Sequence, residues 1–324
     1  MALSIGDAAF MVRRTQADMS GNILFSTRAP IGRVVSRHAR IIGVACGSGA
    51  RDRGCEDGPA ILHTLGIFRD LEGANDRVRW DQTIRAPAGE SDVLQAVSGI
   101  ALTLARCVAH TLSEGDFPLV IGGDHSCAIG TWSGVHAYLS GAGRLGLLWI
   151  DAHMDSHTFK TSPSLAIHGM PMACLLGYGD VKLTQVMSGN PKVLPQDVCL
   201  IGVRSFESAE AALLRTLGVR IYFMDEVRKR GLRRVFREAV AHVSKHTAGY
   251  GISLDLDVLD PAEEPGVGSP VPGGLHRLEL LAALESVHAD RKLLALEVVE
   301  YNPHRDNNYE TARAVRELCK SLLD

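Results

Sequence analysis

Residues 145–155 read LGLLWIDAHMD, an apolar run that ends abruptly in two acids and a histidine. The run is short and uncharged before Asp151, which is typical of a parallel strand buried on both faces. Because alternate residues of a strand point the same way, Asp151, His153 and Asp155 can converge on one point. Six further apolar runs predict strands at 39–46, 118–121, 198–203, 219–223, 252–256 and 293–299.

Segments with helical periodicity separate these runs. The clearest apolar face consists of Val93, Val97, Ile100, Leu104 and Cys107. Other helices are predicted over 208–217, 227–245 and 308–323, and one is expected to open near Pro59 in the segment GCEDGP at 54–59. The alternation predicts an α/β fold of three layers, αβα, with a mainly parallel central sheet. Reactive residues are then expected beyond the carboxyl ends of the strands.

Composition excludes several classes of protein. The 324 residues are 46% hydrophobic and 22% charged, with a net charge of −3, so a nucleic-acid or anionic-membrane partner is not expected. No apolar run approaches the roughly 18 residues of a membrane span, and no signal peptide is evident. Seven cysteines without a Cys-x-x-Cys pair suit reduced thiols in the cytoplasm. Residues 1–40 contain six arginines and no lysine, which predicts a basic N-terminal arm. Residues 41–324 are predicted to form a single catalytic domain.

Three of the strand-like runs end in clusters of acids and histidines: GGDHS at 122–126, DAHMD at 151–155 and DLDVLDP at 255–261. These clusters place four carboxylates and two imidazoles at the ends of buried strands. The carboxylates would repel one another, and their burial would cost free energy unless cations neutralised them. The carboxylates exceed the need of one divalent ion, so two ions sharing carboxylates are predicted. Oxygen-rich ligation without thiolate favours manganese over zinc and leaves Fe, Co or Ni open.

Together these motifs resemble the ureohydrolase superfamily of arginases and agmatinases, and bacterial arginases most of all. The resemblance runs from residue 41 to the C-terminus and is carried by residues 122–126, 151–155, 168–171 (HGMP), 253–261 (SLDLDVLDP), 265–268 (PGVG) and 300–303 (EYNP). It implies the three-layer fold that arginases share with zinc deacetylases. It also implies one manganese site formed by His125, Asp151, Asp155 and Asp255, and another formed by Asp151, His153, Asp255 and Asp257.

The resemblance also implies roles for catalytic residues. Asp155 would hydrogen-bond the bridging hydroxide, His168 would shuttle a proton, and Glu300 would pair with the substrate guanidinium. The expected substrate-binding residues are His157, Ser162, Ser164, Glu207 and Glu210. Here the chain departs from the usual pattern: His157 replaces an asparagine that helps to bind the substrate carboxylate, and residues 164–166 read SLA where arginases tend to read SGN.

The predicted function is hydrolysis of a guanidino C–N bond with release of urea, L-arginine giving L-ornithine being the leading reaction. Another guanidino substrate stays open, such as a guanidino acid, agmatine or a small alkylguanidine, because the substrate loops depart from the arginase pattern. A non-catalytic subunit and a one-metal zinc amidohydrolase are the alternatives from other classes. By resemblance, the protein is expected to form a homo-oligomer, a trimer or hexamer.

Overall fold

The structure is a computed structural model that describes residues 38–72, 77–87 and 89–323. The predicted basic arm therefore lies outside the described residues except for its last three positions, and it stays a prediction. The first described strand begins at Ala39.

Eight parallel strands form one sheet in the described part of the chain. They are β1 (Ala39–Ala45), β2 (Val78–Arg85), β3 (Phe117–Ile121), β4 (Leu145–Ile150), β5 (Val198–Val203), β6 (Arg220–Phe223), β7 (Gly249–Asp255) and β8 (Leu293–Val299). Their order across the sheet is β2-β1-β3-β8-β7-β4-β5-β6. Every neighbouring pair is parallel, which confirms the α/β prediction.

Strand β2 was missed by the sequence analysis. It is an edge strand that pairs only with β1, and most of its side chains are exposed or half-buried. Its sequence, VRWDQTIR, consequently lacks the continuous apolar run that marks the buried strands.

Helices cover both faces of the sheet. They are α1 (Gly58–Thr64), α2 (Arg69–Glu72), α3 (Val93–Ser113), α4 (Ala128–Tyr138), α5 (Pro171–Leu175), α6 (Val181–Thr184), α7 (Ser208–Leu217), α8 (Met224–Arg230), α9 (Leu232–Ser244), α10 (Arg277–Glu285) and α11 (Glu310–Leu323). One apolar core includes residues of α3 and α4, and the other includes residues of α9, α10 and α11. The sheet between these two cores is the middle layer of the predicted three-layer architecture.

Two details of the helix prediction are wrong. The helix predicted over 227–245 is interrupted at Gly231, whose φ of +80° ends α8 before α9 begins. Val93 is 46% exposed because it is the first residue of α3, after the N-cap Asp92, whose carboxylate accepts hydrogen bonds from the backbone amides of Leu94 and Gln95. The predicted opening of α1 near Pro59 is confirmed.

Helix α3 meets the length and composition criteria for a membrane span, alone among the helices of the described residues. No such segment was expected from the sequence. The buried face of α3, which includes Val97, Ile100 and Leu104, packs into the apolar core shared with α4. That packing accounts for its apolar composition.

The candidate site lies at the carboxyl ends of four consecutive strands, β3, β8, β7 and β4. His125 follows β3 in a 3₁₀ turn, and Asp151 follows β4 directly. Asp255 is the last residue of β7, and Glu300 comes immediately after β8. Parallel strands end at one edge of the sheet, so residues far apart in sequence meet there.

Candidate active site

The first group of predicted metal ligands surrounds the Nδ1 atom of His125. The Oδ2 atoms of Asp155 and Asp255 each lie 3.0 Å from this nitrogen, and that of Asp151 lies 3.3 Å away. The nitrogen is buried and has no partner in hydrogen-bond geometry. A buried polar atom without a partner is unfavourable, and a cation bound between this nitrogen and the three carboxylates would satisfy it.

The other ring nitrogen of His125 fixes the tautomer. Nε2 lies 3.0 Å from Oγ of Ser253, and that hydroxyl donates to Oε2 of Glu297 at 2.7 Å. With its proton committed to Glu297, the serine oxygen accepts from Nε2–H of the imidazole. Nδ1 therefore carries the lone pair that faces the three carboxylates, an arrangement that suits a metal ion between them.

The second group consists of Asp151, His153 and Asp257, whose ligand atoms all lie within 4.8 Å of one another. Nδ1 of His153 is 3.0 Å from Oδ2 of Asp257 and 3.5 Å from Oδ1 of Asp151. Asp151 thus presents one oxygen to each group. Asp255 directs Oδ2 to the first group, while its Oδ1 accepts a hydrogen bond from the backbone amide of Asp257 at 2.9 Å.

Burial makes the ionised forms of two of these carboxylates, Asp155 and Asp255, unfavourable without cations. Desolvation, and then the neighbouring charge of Asp151, raise the pKa of Asp155 to about 6. The same effects, with Asp257 as the main neighbour, raise the pKa of Asp255 well above its ordinary value. Divalent cations would keep both carboxylates ionised at neutral pH, so these residues fit two metal ions.

Backbone strain coincides with two predicted catalytic residues. Asp155 and Glu300 have φ values of +49° and +66°, a region that residues other than glycine rarely occupy. Such conformations cost about 1 to 3 kcal/mol each. Hydrogen bonds hold them in place: the amide of Met172 donates to the carbonyl of Asp155 at 2.9 Å, and the amide of Glu300 donates to the carbonyl of Gly123 at 2.7 Å.

Glu300 is the centre of a buried hydrogen-bond network beside the metal-ligand groups. Its Oε1 accepts from Nδ1 of His168 and from the backbone amide of His125, both at 3.0 Å. Its Oε2 accepts from the thiol of Cys55 at 3.1 Å. Burial opposes ionisation, but the hydrogen bond and charge of His168, with the other donors, lower the pKa of Glu300 below its ordinary value. The site therefore contains a buried, ionised carboxylate.

Cys55 was assigned no function from the sequence, yet its thiol contacts the side chain of Glu300. Burial and the charge of Glu300 raise the pKa of the thiol far above its ordinary value, so it is a neutral donor rather than a nucleophile. Gly268 lies on the same side of the carboxylate. A Cβ atom at Gly268 would stand 2.2 Å from Oε2 of Glu300 and 3.0 Å from Sγ of Cys55.

Three of the predicted substrate-binding residues, His157, Glu207 and Glu210, form a cluster of their own. Nε2 of His157 is 2.9 Å from Oε2 of Glu207 and 3.9 Å from Oε1 of Glu210. Glu210 is buried, and it accepts hydrogen bonds from the amides of Glu207 at 2.9 Å and Ser156 at 3.4 Å. Glu210 thus caps the first turn of α7. This capping role was not predicted from the sequence.

The remaining two, Ser162 and Ser164, shape the loop before His168. Their hydroxyls lie 3.2 Å apart, and each accepts from a backbone amide, Ser162 from Leu165 at 2.9 Å and Ser164 from Ala166 at 3.1 Å. Ser164 lines a cavity of about 190 Å³ that also reaches His168 and Glu300. This cavity leads from the surface to the residues that are expected to bind the guanidinium.

Known proteins resemble this chain over most of its length. The arginase family model matches residues 37–324. An arginase of Bacillus caldovelox is 40% identical over 296 residues, which cover 87% of this chain and 97% of that protein. The chain belongs to the arginase family. The resemblance inferred from the motifs is thereby confirmed.

Solved structures of arginases share the fold. Arginase from Bacillus subtilis superposes with a TM-score of 0.82 at 35% identity, covering 89% of this chain and 98% of that chain. Arginase from Entamoeba histolytica in complex with L-ornithine also gives a TM-score of 0.82, at 29% identity, covering 90% and 99%. Membership of the arginase family and the two ligand groups support a dinuclear metal site. They argue against the one-metal zinc amidohydrolase.

Several residues of this arginase-family site carried no recognised signal in the sequence. Ser253 lies within the matched motif 253–261, yet only the structure reveals its hydrogen bond to His125. Glu297 interrupts the apolar sequence of β8, and a buried acid in a central strand could have been flagged. Cys55 gave no comparable sign, because its partner Glu300 lies 245 residues away in the chain.

Proposed function

We propose that this protein is a dinuclear manganese hydrolase that cleaves the guanidino group of L-arginine and releases urea and L-ornithine. The observation that carries the proposal is the pair of ligand groups sharing Asp151, next to the buried Glu300, whose carboxylate contacts His168 and the amide of His125. Relatives named arginase, and one arginase structure that contains L-ornithine, support the choice of substrate.

The metal ligands in the proposal are the six residues His125, Asp151, His153, Asp155, Asp255 and Asp257. Two divalent cations would supply hydroxide at neutral pH, because they lower the pKa of bound water from 15.7 toward about 7. Oxygen-rich ligands with two imidazoles and no thiolate favour manganese over zinc. Asp155, whose carboxylate faces the first group, is the candidate acceptor for a hydrogen bond from that hydroxide.

Glu300 would bind and orient the substrate. A guanidinium is planar and pairs bidentately with a carboxylate, which fixes its carbon relative to the nucleophile. The hydrogen bonds from His168, Cys55 and the amide of His125 hold the Glu300 side chain in one orientation before substrate arrives. A preorganised carboxylate loses little conformational entropy when the substrate binds.

His168 would deliver the proton that the leaving amine requires. Its imidazole is one-quarter exposed in the cavity, and Nδ1 is committed to Glu300. Burial lowers the pKa of His168, but the hydrogen bond and charge of Glu300 outweigh burial and raise it to about 9. The residue is then protonated at neutral pH, and Nε2–H is free to act as the acid.

Replacing His168 should test this role. We expect His168→Asn to lower kcat by about 10²-fold, the lower end of the usual contribution of a general acid. The protonated form of His168 disappears as pH rises through about 9. The kcat of the wild-type protein should therefore fall above that pH, because His168 can no longer donate a proton. The variant should lack this alkaline decline. Steady-state urea release between pH 7 and 10.5 measures both effects, and an unchanged pH profile would contradict the assignment.

The first experiment is urea release by the manganese-reconstituted protein from L-arginine, agmatine, 4-guanidinobutyrate, 3-guanidinopropionate and guanidine. We expect L-arginine to be hydrolysed fastest, and Asp155→Asn to remove the activity. If a compound without an α-amino-acid group were hydrolysed fastest, that compound would replace L-arginine as the proposed substrate. Two bound metals with no urea from any compound would instead favour a non-catalytic subunit.

Cytoplasmic location and assembly into a homo-oligomer, a trimer or hexamer, are also part of the proposal. All seven cysteines are free, which supports a reducing compartment. The oligomeric state is carried over from the resemblance, and light scattering coupled to size exclusion would measure it.

A further inference from the structure

We infer that Arg51 binds the carboxylate of the substrate. This inference rests on the proposed function, and it assigns a cationic residue to the substrate end that lies away from the guanidinium.

The groups expected to bind the carboxylate already form hydrogen bonds within the protein, and the two serines among them are neutral. His157 contacts Glu207 through Nε2 and Thr161 through Nδ1, at 2.9 and 3.2 Å. The hydroxyls of Ser162 and Ser164 accept hydrogen bonds from backbone amides of their own loop, and the O–H donors that remain carry no charge. Ala166 replaces the asparagine that arginases tend to have and offers no polar side chain. A carboxylate entering this region would meet no unpaired cation among these residues.

Arg51 lines the wall of both cavities that open beside Ser164. The cavity of about 190 Å³ joins Arg51 to Glu300 and His168. A neighbouring cavity of about 390 Å³ joins it to Phe159 and to residues 164–167. A substrate whose guanidinium lies at Glu300 can therefore extend toward Arg51 without leaving the cavity.

The guanidinium of Arg51 is exposed and makes no ion pair or hydrogen bond with the residues that the structure describes. Its neighbours differ in this respect. Arg53 pairs with Glu56 at 2.8 Å, and Arg305 pairs with Asp52 at 2.8 Å. A cation that lines the substrate cavity and lacks a protein anion is well suited to an anionic ligand.

The acids near Arg51 are committed elsewhere. Asp52 pairs with Arg305 and accepts from the amide of Gly54 at 2.9 Å. Asp92, which lines the larger cavity, accepts from the amides that begin α3. Neither carboxylate contacts Arg51, so neither neutralises it directly.

The backbone next to Arg51 is anchored to the catalytic residues. The amide of Gly49 donates to Oδ2 of Asp124 at 2.8 Å, and the carbonyl of Gly49 accepts from the amide of His168 at 3.1 Å. Asp124 is fully buried beside His125. Arg51 therefore projects from a loop whose position is fixed relative to the proton-shuttle residue.

The test compares substrates with and without a carboxylate. We expect Arg51→Ala to raise KM for L-arginine and for 4-guanidinobutyrate about 10-fold or more, because it removes charge-assisted hydrogen bonds to the carboxylate. Its kcat should stay within about threefold. KM for agmatine, or its inhibition constant if it is not hydrolysed, should change less than about twofold. Arg51→Lys should restore part of the affinity, since lysine keeps the charge but loses the planar fork.

Arg53→Ala is the matched control, because Arg53 lies two residues away and pairs with Glu56. It should leave all of these constants within about twofold. An unchanged KM for L-arginine in Arg51→Ala would overturn the inference, as would an equal rise for agmatine or a wild-type protein that hydrolyses only compounds without a carboxylate. Absence of urea release by the wild-type protein from every guanidino compound would instead overturn the proposed function, and the inference with it.

Discussion

Asp151→Asn should remove nearly all urea release and most of the metal. Asp151 presents one carboxylate oxygen to each ligand group, so its replacement weakens both metal sites at once. An amide oxygen carries no charge, and the loss of bound hydroxide should lower the rate by about 10⁴-fold or more. Metal analysis after dialysis should find well under two ions per chain in the variant.

The same substitution should also alter thermal stability. Two ions that bind only the folded protein, each at about 100 times its Kd, add about 5 kcal/mol, which corresponds to a Tm increase of roughly 10 °C for a chain of this size. We expect chelation to lower the Tm of the wild-type protein by that amount and to change the Tm of Asp151→Asn little. Differential scanning calorimetry with and without Mn²⁺ measures the difference.

Asp225→Asn is the matched control for both measurements. It makes the same chemical change at a side chain that is 99% exposed and that belongs to neither ligand group. The control should keep two metals, full activity and the stabilisation by Mn²⁺. If Asp151→Asn kept two ions per chain and a tenth of the activity, the shared-ligand arrangement would be refuted.

Glu300→Gln should have the second largest effect, and it should act on substrate rather than on metal. Glutamine keeps the shape of the side chain but loses the charge that pairs with a buried guanidinium. Removing one partner of a buried charge pair costs about 2 to 5 kcal/mol, so we expect kcat/KM for L-arginine to fall about 10³-fold. The metal content should be unchanged, because no ligand of either group is altered. Steady-state kinetics and metal analysis on one preparation test both statements.

Gly268→Ala should displace the carboxylate of Glu300 without removing its charge. Its Cβ atom would stand 2.2 Å from Oε2, so the carboxylate must move. We expect a loss of about 10²-fold in kcat/KM, because small displacements of a positioning group have effects of this size. Gly189→Ala, where a Cβ meets no atom within 4 Å, should change nothing. Full activity in Gly268→Ala would mean that the position of Glu300 is not critical.

Much of the fold was predictable because buried parallel strands have a strong local signature. Strands β4, β5 and β8 have the predicted bounds, since β4 and β5 are continuous apolar runs, β8 is an apolar run interrupted only by Glu297, and a polar residue follows each strand. Strand β2 was not predictable in this way, because an edge strand is exposed and its alternation is weak. The break at Gly231 was missed because a single glycine within a helical period is often tolerated.

The sequence by itself determined the family, the αβα class and the residues that could bind metal. Short motifs suffice for this, because metal chemistry demands particular side chains and a strand places alternate residues on one side. Only the tertiary structure decided which atoms meet. It brought Cys55, His168 and Gly268 to Glu300 and fixed the tautomer of His125 through Ser253 and Glu297. It also placed Arg51 beside the cavity without an ion pair among the described residues. These contacts join distant parts of the chain at one edge of the sheet, where the strand order rather than the local sequence sets the distances.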